Sequence, residues 1–423
     1  VAGEADARVA VETVWRIESA RLIAGLARMV RDVGLAEDLA QDALLAAIER
    51  WPRSGVPDNP GAWLMATARN RAIDLMRRDA TFQRKGEELA REVGVQFAME
   101  RAEFEAALDD EVGDDLLGLM FICCHPLLSS EARVALTLRL LGGLSTAEIA
   151  RAFLTPEKTV AQRLVRAKRT LRDAKVPFEV PTGSALRARL PSVLEVIYLI
   201  FNEGYAASSG EDWIRPALCE EALRLGRILA ELAPEEPEAH GLIALLEIQA
   251  SRSAARLRPG GKPVLLLDQD RSRWDPLLIV RGRAALERAE ALPGPFGPYG
   301  LQAAIAACHA RALRAQDTDW VKIAALYDAL SQLTPSAIVD LNRAVALGMA
   351  FGPELGLELV DRIADDPALR GYHLLPSVRA DLLAKLGRGE EAEVEFRRAA
   401  ALTANERERE LLLRRAAELD RRQ

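Results

Sequence analysis

Long apolar runs are missing from these 423 residues. No window approaches ~18 uncharged apolar positions, so a membrane-spanning helix is not expected. The opening stretch VAGEADARVAVE lacks the basic-then-apolar pattern of a signal peptide, and the expected location is cytoplasmic. Cysteine is scarce: Cys123 and Cys124 are adjacent, and Cys219 and Cys308 stand alone. That pattern excludes a disulfide framework and suits reduced thiols. Aromatic residues make up only 5% and β-branched runs are few, whereas alanine, leucine and arginine dominate. These choices exclude a sandwich or barrel and predict an all-α protein. A basic excess is also lacking: 56 Lys and Arg stand against 63 Asp and Glu, a net charge of −7. Taken whole, that figure argues against a nucleic-acid partner.

The distribution of charge reverses this first impression. Residues 63–85 hold six basic side chains against two acids, and residues 151–175 hold eight against two. Between them, residues 87–115 hold eleven acids and only Arg91 and Arg101. Two basic segments joined by an acidic one are an informative pattern, with solvated helix faces of alternating sign as the equal alternative on charge alone, and local motifs must decide.

Helical periodicity organises the N-terminal part. Val11, Val14, Ile17, Leu22, Leu26 and Met29 predict a helix over residues 10–31, and a second over 36–50 is closed by Trp51-Pro52. After the loop PRSGVPDNP, Asn59 reads as an N-cap with Pro60 at the first helical position, opening a helix through Arg77 or Arg78. Farther on, Ser145 and Glu148 form a capping box that opens a short helix to about Ala152. Phe153 and Leu154 make a turn, and Thr155 is expected to cap a second helix with Pro156 at its first position. Val160, Leu164, Ala167 and Leu171 form the apolar stripe of that helix, opposite Lys158, Thr159, Gln162, Arg163, Arg166 and Arg169. A short helix, a tight turn and a long basic helix make a helix-turn-helix, whose second helix lies in the major groove.

From about residue 182 the composition shifts to some 240 residues of helical pattern, interrupted by RPGGKP and LPGPFGPYG. PSAIVDLNRAVALG (335–348) is echoed by PSVRADLLAKLG (376–387), which continues as RGEEAEVEFRRAAAL. The echo suggests helix–turn–helix repeats of tetratricopeptide type, with an unrelated helical bundle as the alternative.

Three segments in order, AEDLAQDALLAAIERW (36–51), GAWLMATARNRAIDLMRR (61–78) and STAEIARAFLTPEKTVAQRLVRAKRTLR (145–172), resemble the extracytoplasmic-function (ECF) sigma factors of bacterial RNA polymerase, of the sigma-70 family. The resemblance covers about residues 10–175. FNEGYAASSGEDW and LLLDQDRSRWD look like the long C-terminal extension of one subgroup. It implies a sigma-2-like helical bundle over 8–85, an acidic linker over 86–114, a sigma-4-like helix-turn-helix domain over 115–176 and a tetratricopeptide-like regulatory extension over 182–423.

The resemblance also implies partners and roles. Core RNA polymerase would be met through its β′ clamp helices and β flap, the former by Glu37, Asp38, Leu39, Gln41 and Asp42. The −10 promoter element would be held by Asn70 on a base and by Arg69, Arg71, Arg77 and Arg78 on phosphates. Trp63 and Asp74 lie at matching positions, where Trp63 suits a supporting role and Asp74 an anchor for a neighbouring group. Lys158, Thr159, Gln162, Arg163, Arg166 and Arg169 would read the −35 element. The extension would act in cis or on an unknown protein partner. The rival readings are a helix-turn-helix regulator that binds duplex DNA without polymerase, and a helical scaffold with no DNA role.

Other signals carry no chemistry. Consecutive Cys123-Cys124-His125 on a helix point about 100° apart and cannot close a tetrahedral site, so a buried helix start is expected there. The acids of LLLDQDRSRWD and SSGEDW do not fit a calcium-loop spacing. There is no phosphate-binding glycine loop and no Ser/His/Asp motif, so neither an enzyme nor a metal or other cofactor is expected.

Overall fold

Alternation of apolar and charged side chains at helical spacing builds nearly every element of the chain. The computed structural model describes residues 2–82, 111–153, 155–205, 214–258, 262–294 and 296–420. Most of the acidic linker, Leu154 and the SSGEDW segment fall outside these residues. The described chain is helical apart from 3-10 turns and a two-residue antiparallel strand pair, Leu257–Arg258 with Lys262–Pro263. It divides into two units, Val1–Val196 and Ile197–Gln423.

In the first unit α1 (Ala2–Val30), α2 (Val33–Ser54) and α3 (Pro60–Phe82) pack together. The sequence folds this way because α2 turns a row of small residues inward. Ala36, Ala40, Ala43 and Ala47 are fully buried against Leu22, Leu26 and Ala27 of α1 and Leu64, Ala68 and Ala72 of α3. Small side chains let the helix axes approach, and Leu39 and Trp51 fill the remaining volume. Asp32 caps α2, its Oδ1 accepting from the Gly34 and Leu35 amides at 2.7 and 3.0 Å. Asn59 caps α3 through the Ala62 amide at 3.0 Å, with Pro60 next as expected.

Two boundaries differ from the sequence reading. Pro52 does not end α2, which continues to Ser54, where Ser54 Oγ donates to the Arg50 carbonyl. Cys123 and Cys124 sit at the C-terminal end of α4 (Glu111–Cys123), not at a helix start. Both thiols are buried there, and Cys124 Sγ lies 3.6 Å from Thr137 Oγ1.

α5 (Ser130–Leu140), α6 (Thr146–Ala152) and α7 (Glu157–Asp173) form the second part of this unit. The capping box is formed in full. Glu148 accepts from the Ser145 amide at 2.8 Å, and Ser145 Oγ accepts from the Glu148 amide at 3.2 Å. The expected Thr155 cap is not made. α7 starts one residue later, at Glu157, and Thr155 Oγ1 donates instead to the Phe153 carbonyl at 3.1 Å. Pro156 takes the N-cap position itself and carries no side-chain acceptor, so the cap bond expected of Thr155 has no place one residue farther out.

The first half of α8 (Gly183–Tyr205) belongs to this unit, although composition places residues 183–196 with the extension. Arg189 donates to the Phe121 carbonyl at 2.5 Å, Ser192 Oγ donates to the Cys124 carbonyl at 2.6 Å, and Arg133 pairs with Glu195 at 3.1 Å. Pro177, Pro181 and Gly183 mark a loop rather than a change of packing partner.

The second unit contains the rest of α8 followed by α9 (Pro216–Leu232), α10 (Pro237–Ala250), α11 (Pro276–Ala291), α12 (Pro298–Arg311), α13 (Trp320–Leu333), α14 (Ala337–Phe351), α15 (Pro353–Ile363), α16 (Leu374–Lys385), α17 (Gly389–Leu402) and α18 (Glu406–Asp420). α12 packs chiefly on α10, and from α13 onward successive helices pack on one another. The α14–α15 crossing depends on glycine: a Cβ at Gly356 would lie 2.7 Å from the Ala344 carbonyl oxygen. The Pro-Ser echo of the sequence corresponds to the α14–α15 and α16–α17 pairs, which share one core of Leu341, Leu357, Leu375 and Leu383.

Candidate nucleic-acid interface

α7 is amphipathic in a way that assigns each face. Val160, Leu164, Ala167 and Leu171 are all buried, as their spacing requires. On the opposite side Lys158, Thr159, Gln162, Arg166 and Arg169 are exposed, and Arg163 is half-buried at the edge. Arg169 pairs with Asp173 at 3.2 Å on an exposed surface, where such a pair is weak and exchangeable. The outer face therefore presents cations and hydrogen-bonding forks along one side of a helix held rigidly from behind.

α3 presents a second exposed face. Asn70, Asp74 and Arg77 are exposed and share one side at i, i+4, i+7 spacing. Arg69 and Arg71 are half-buried on its flanks, and the Arg78 side chain lies outside the described residues. Arg71 pairs with Asp42 of α2 at 3.2 Å. Trp63 is half-buried with its ring 5.5 Å from that of buried Trp51, edge to face, so it braces the α2–α3 contact.

The five α2 residues separate into two groups. Asp38 and Asp42 are exposed and Gln41 is half-buried. Leu39 is core, and Glu37 is only 3% exposed. The Glu37 carboxylate is enclosed by cations from the helix-turn-helix half of the unit: Arg139 Nε of α5 donates to Oε1 at 2.6 Å, and Lys168 Nζ of α7 donates to Oε2 at 2.7 Å. Gln41 Nε2 donates to Oε1 at 2.8 Å, so three donors converge on one carboxylate. Burial by itself raises this carboxyl; the Lys168 ammonium and Arg139 guanidinium outweigh it and hold the group below the usual carboxylate range. Sequence reasoning missed Lys168 and Arg139 as partners, because they lie 131 and 102 residues from Glu37. It also missed Ile48, which with Leu45 is exposed on the Asp38–Asp42 side of α2 (56% for Leu45, 38% for Ile48) and adds apolar surface beside the acids. Its signal was present in the helical spacing 38, 42, 45, 48.

Among the described residues no group of His, Cys, Asp or Glu could hold a metal ion. None of the described helices is long and apolar enough to cross a membrane.

A three-helix bundle whose third helix exposes Asn70 and Arg77, joined to a helix-turn-helix with a cationic outer face, is the arrangement expected of a sigma-type transcription initiation protein. Family comparisons match both parts of this unit. Residues 17–81 match sigma-70 region 2, and residues 119–171 match sigma-70 region 4. Residues 189–290 match a family of unknown function, DUF6596. The probable ECF RNA polymerase sigma factor SigI of Mycobacterium tuberculosis is 26% identical over 172 residues, covering 40% of this chain and 57% of that protein. An uncharacterised protein of Rhizobium meliloti is 43% identical over 388 residues, covering 90% of this chain and 89% of that one. The chain thus carries sigma-70 regions 2 and 4, is similar to an ECF sigma factor, and continues into a long helical C-terminal extension.

Proposed function

We propose that this sigma factor binds core RNA polymerase and directs it to promoters with defined −10 and −35 elements. The observation that carries the reading is the exposure of both reader faces, Asn70–Asp74–Arg77 on α3 and Lys158–Gln162–Arg166 on α7, each opposite a packed core. Asn70 hydrogen-bonds a base of the opened −10 strand, while Arg69, Arg71, Arg77 and Arg78 follow its phosphates. Thr159, Gln162, Arg163 and Arg166 meet −35 base edges, and Lys158 and Arg169 neutralise phosphates. Asp38, Gln41 and Asp42, with Leu45 and Ile48, offer an acidic and apolar surface to the β′ clamp helices, and the helix-turn-helix domain meets the β flap. Glu37 and Leu39 serve this face from beneath. Glu37 holds the two DNA-reading halves together through Arg139 and Lys168, so engagement of polymerase by Glu37 itself requires those cations to be exchanged for basic groups of the partner.

The extension regulates these steps, in cis or through a protein partner. Its removal is best made after Val196 rather than near residue 182, since α8 contributes Arg189, Ser192 and Glu195 to the first unit. Co-purification with core polymerase, followed by start-site mapping after overexpression, tests the reading. Stoichiometric retention and a shared −10/−35 pattern upstream of new starts are expected. Duplex binding without polymerase retention would establish instead a regulator that acts independently of polymerase. The chain cut after Val196 should differ from the full chain in promoter output or polymerase affinity; identical behaviour would remove the regulatory role.

A further inference from the structure

The second unit contains a cavity of about 260 Å³ bounded by α8, α10, α12 and α13. This lies just below the ~300–1,000 Å³ of ordinary small-molecule sites, which restricts an occupant to a single ring with small substituents. The FNEGY stretch supplies Phe201, Asn202 and Tyr205 to its wall, and Tyr198 and Tyr327 add two more rings. Phe201 and Tyr205 stack on each other at 5.4 Å, which makes this part of the wall a rigid aromatic pair.

Its polar groups are few and specific. Arg252 lines the cavity, is 9% exposed, and makes no ion pair with any described residue. Its Nε donates to Tyr205 Oη at 2.9 Å and its Nη2 to the same oxygen, which leaves the Nη1 amino group without a hydrogen-bond partner among the described residues. Arg256 stands 3.6 Å from the centre of the Tyr205 ring and backs the same phenol. The neighbouring Arg271 is engaged with backbone: its Nη1 donates to the His309 and Ala312 carbonyls at 2.7 Å, and its Nη2 to Thr318 Oγ1 at 3.0 Å. One guanidinium arm is therefore directed to the cavity. A buried cation without a carboxylate favours an anion beside it.

Two wall residues carry buried polar atoms with no hydrogen-bond partner among the described residues, Gln249 Oε1 and His309 Nδ1. Gln249 Oε1 can only accept, so it calls for a donor on the ligand. His309 is 7% exposed, and burial with the nearby Arg252 and Arg271 drives its pKa down to about 4, so it stays neutral and adds no second positive charge. Gln302, by contrast, is satisfied by Tyr198 Oη and the Pro298 carbonyl and acts as wall.

We propose that this cavity binds a small monoanionic aromatic carboxylic acid bearing a ring hydroxyl, with the carboxylate on Arg252, the hydroxyl on Gln249 and the ring among Tyr198, Phe201, Tyr205 and Tyr327. A single cationic arm matches one carboxylate rather than a phosphate, which needs more donors. The site stands independently of the transcriptional reading, because it is tested by binding to the full chain alone.

Calorimetric titration of the full-length protein with 4-hydroxybenzoate and with its neutral isostere 4-hydroxybenzamide is the test. The acid should bind one per chain and the amide at least ~tenfold more weakly, the usual consequence of losing a charge-assisted bond. Arg252→Met should abolish the preference for the acid. Gln249→Leu removes an unpaired acceptor and keeps the fold; it should weaken 4-hydroxybenzoate severalfold and leave benzoate unchanged. Equal affinity for acid and amide, no saturable binding at low-millimolar probe, or full binding by Arg252→Met overturns the site. Should Arg252→Met fail to fold, the acid-to-amide ratio and the Gln249→Leu pattern decide the question.

Discussion

Two buried charges, one in each unit, are handled in opposite ways. In the first, one carboxylate, Glu37, meets two cations and an amide, each at ordinary hydrogen-bond length. In the second, the guanidinium of Arg252 meets a phenol and, among the described residues, no carboxylate. A closed cluster spends its directionality on holding helices in place. An open one keeps attraction in reserve for something that arrives from solution. The contrast separates a structural use of charge from a binding use of it within a single chain.

The closed cluster is the more fragile to truncation. Glu37→Ala leaves Arg139 and Lys168 without their shared partner and should destabilise the first unit by ~3–5 kcal/mol, as breaking a buried pair does. Glu37→Gln retains an acceptor and should lose less; differential scanning calorimetry of the two variants measures the gap. Equal losses would mean that the charge, rather than the shape or the retained acceptor, carries the contribution at this position.

Acid distinguishes the units next. Glu37 has a lowered folded pKa, so its contribution is complete above the unfolded value of 4.5 and disappears only as pH falls through the lower, folded value. His309 moves from 6.5 to about 4 on folding. The unfolded chain therefore takes up this proton first, and the second unit should weaken from about pH 6.5 downward, by ~3 kcal/mol at pH 4. His309→Gln should flatten that decline, and unfolding followed from pH 7 to 4 will show whether the second unit weakens first.

The DNA-reading faces test a third use of charge. Arg166→Ala should cost ~1–3 kcal/mol on a −35 duplex and relax sequence preference there, without altering the thermal stability of either unit. The smallest effect belongs to the capping box: Ser145→Ala should cost ~1 kcal/mol of helix-turn-helix stability, and hydrogen exchange in α6 reads it directly.

Local signals accounted for much of this architecture. Asn59-Pro60 and the Ser145–Glu148 box specify helix starts through contacts three residues long, and the Val160–Leu171 stripe specifies a face. Those features are legible because their physics is confined to neighbouring residues. The partners of Glu37 are not, since nothing in the sequence around position 37 indicates a lysine 131 residues away. The same holds for α8, whose first half joins the earlier unit through bonds from Arg133, Arg189 and Ser192. Thr155 shows the opposite failure: a good capping residue was present, but the helix starts one residue later and leaves it outside the cap position. The cavity on Arg252 combines residues from four helices, and only the FNEGY stretch hinted at it.

α7 carries cations of two kinds on one short rod. The Lys168 side chain is largely covered and lies 2.7 Å from its counter-charge, whereas Arg166 and Arg169 face open solvent. Added electrolyte acts on these unequally. Ions crowd between an exposed arginine and a phosphate and release steeply on binding, but they do not reach a pair from which water is already excluded. Raising ionic strength thus loosens the grip of this helix on a duplex while its seat within the protein holds. The chain lets go of DNA without coming apart.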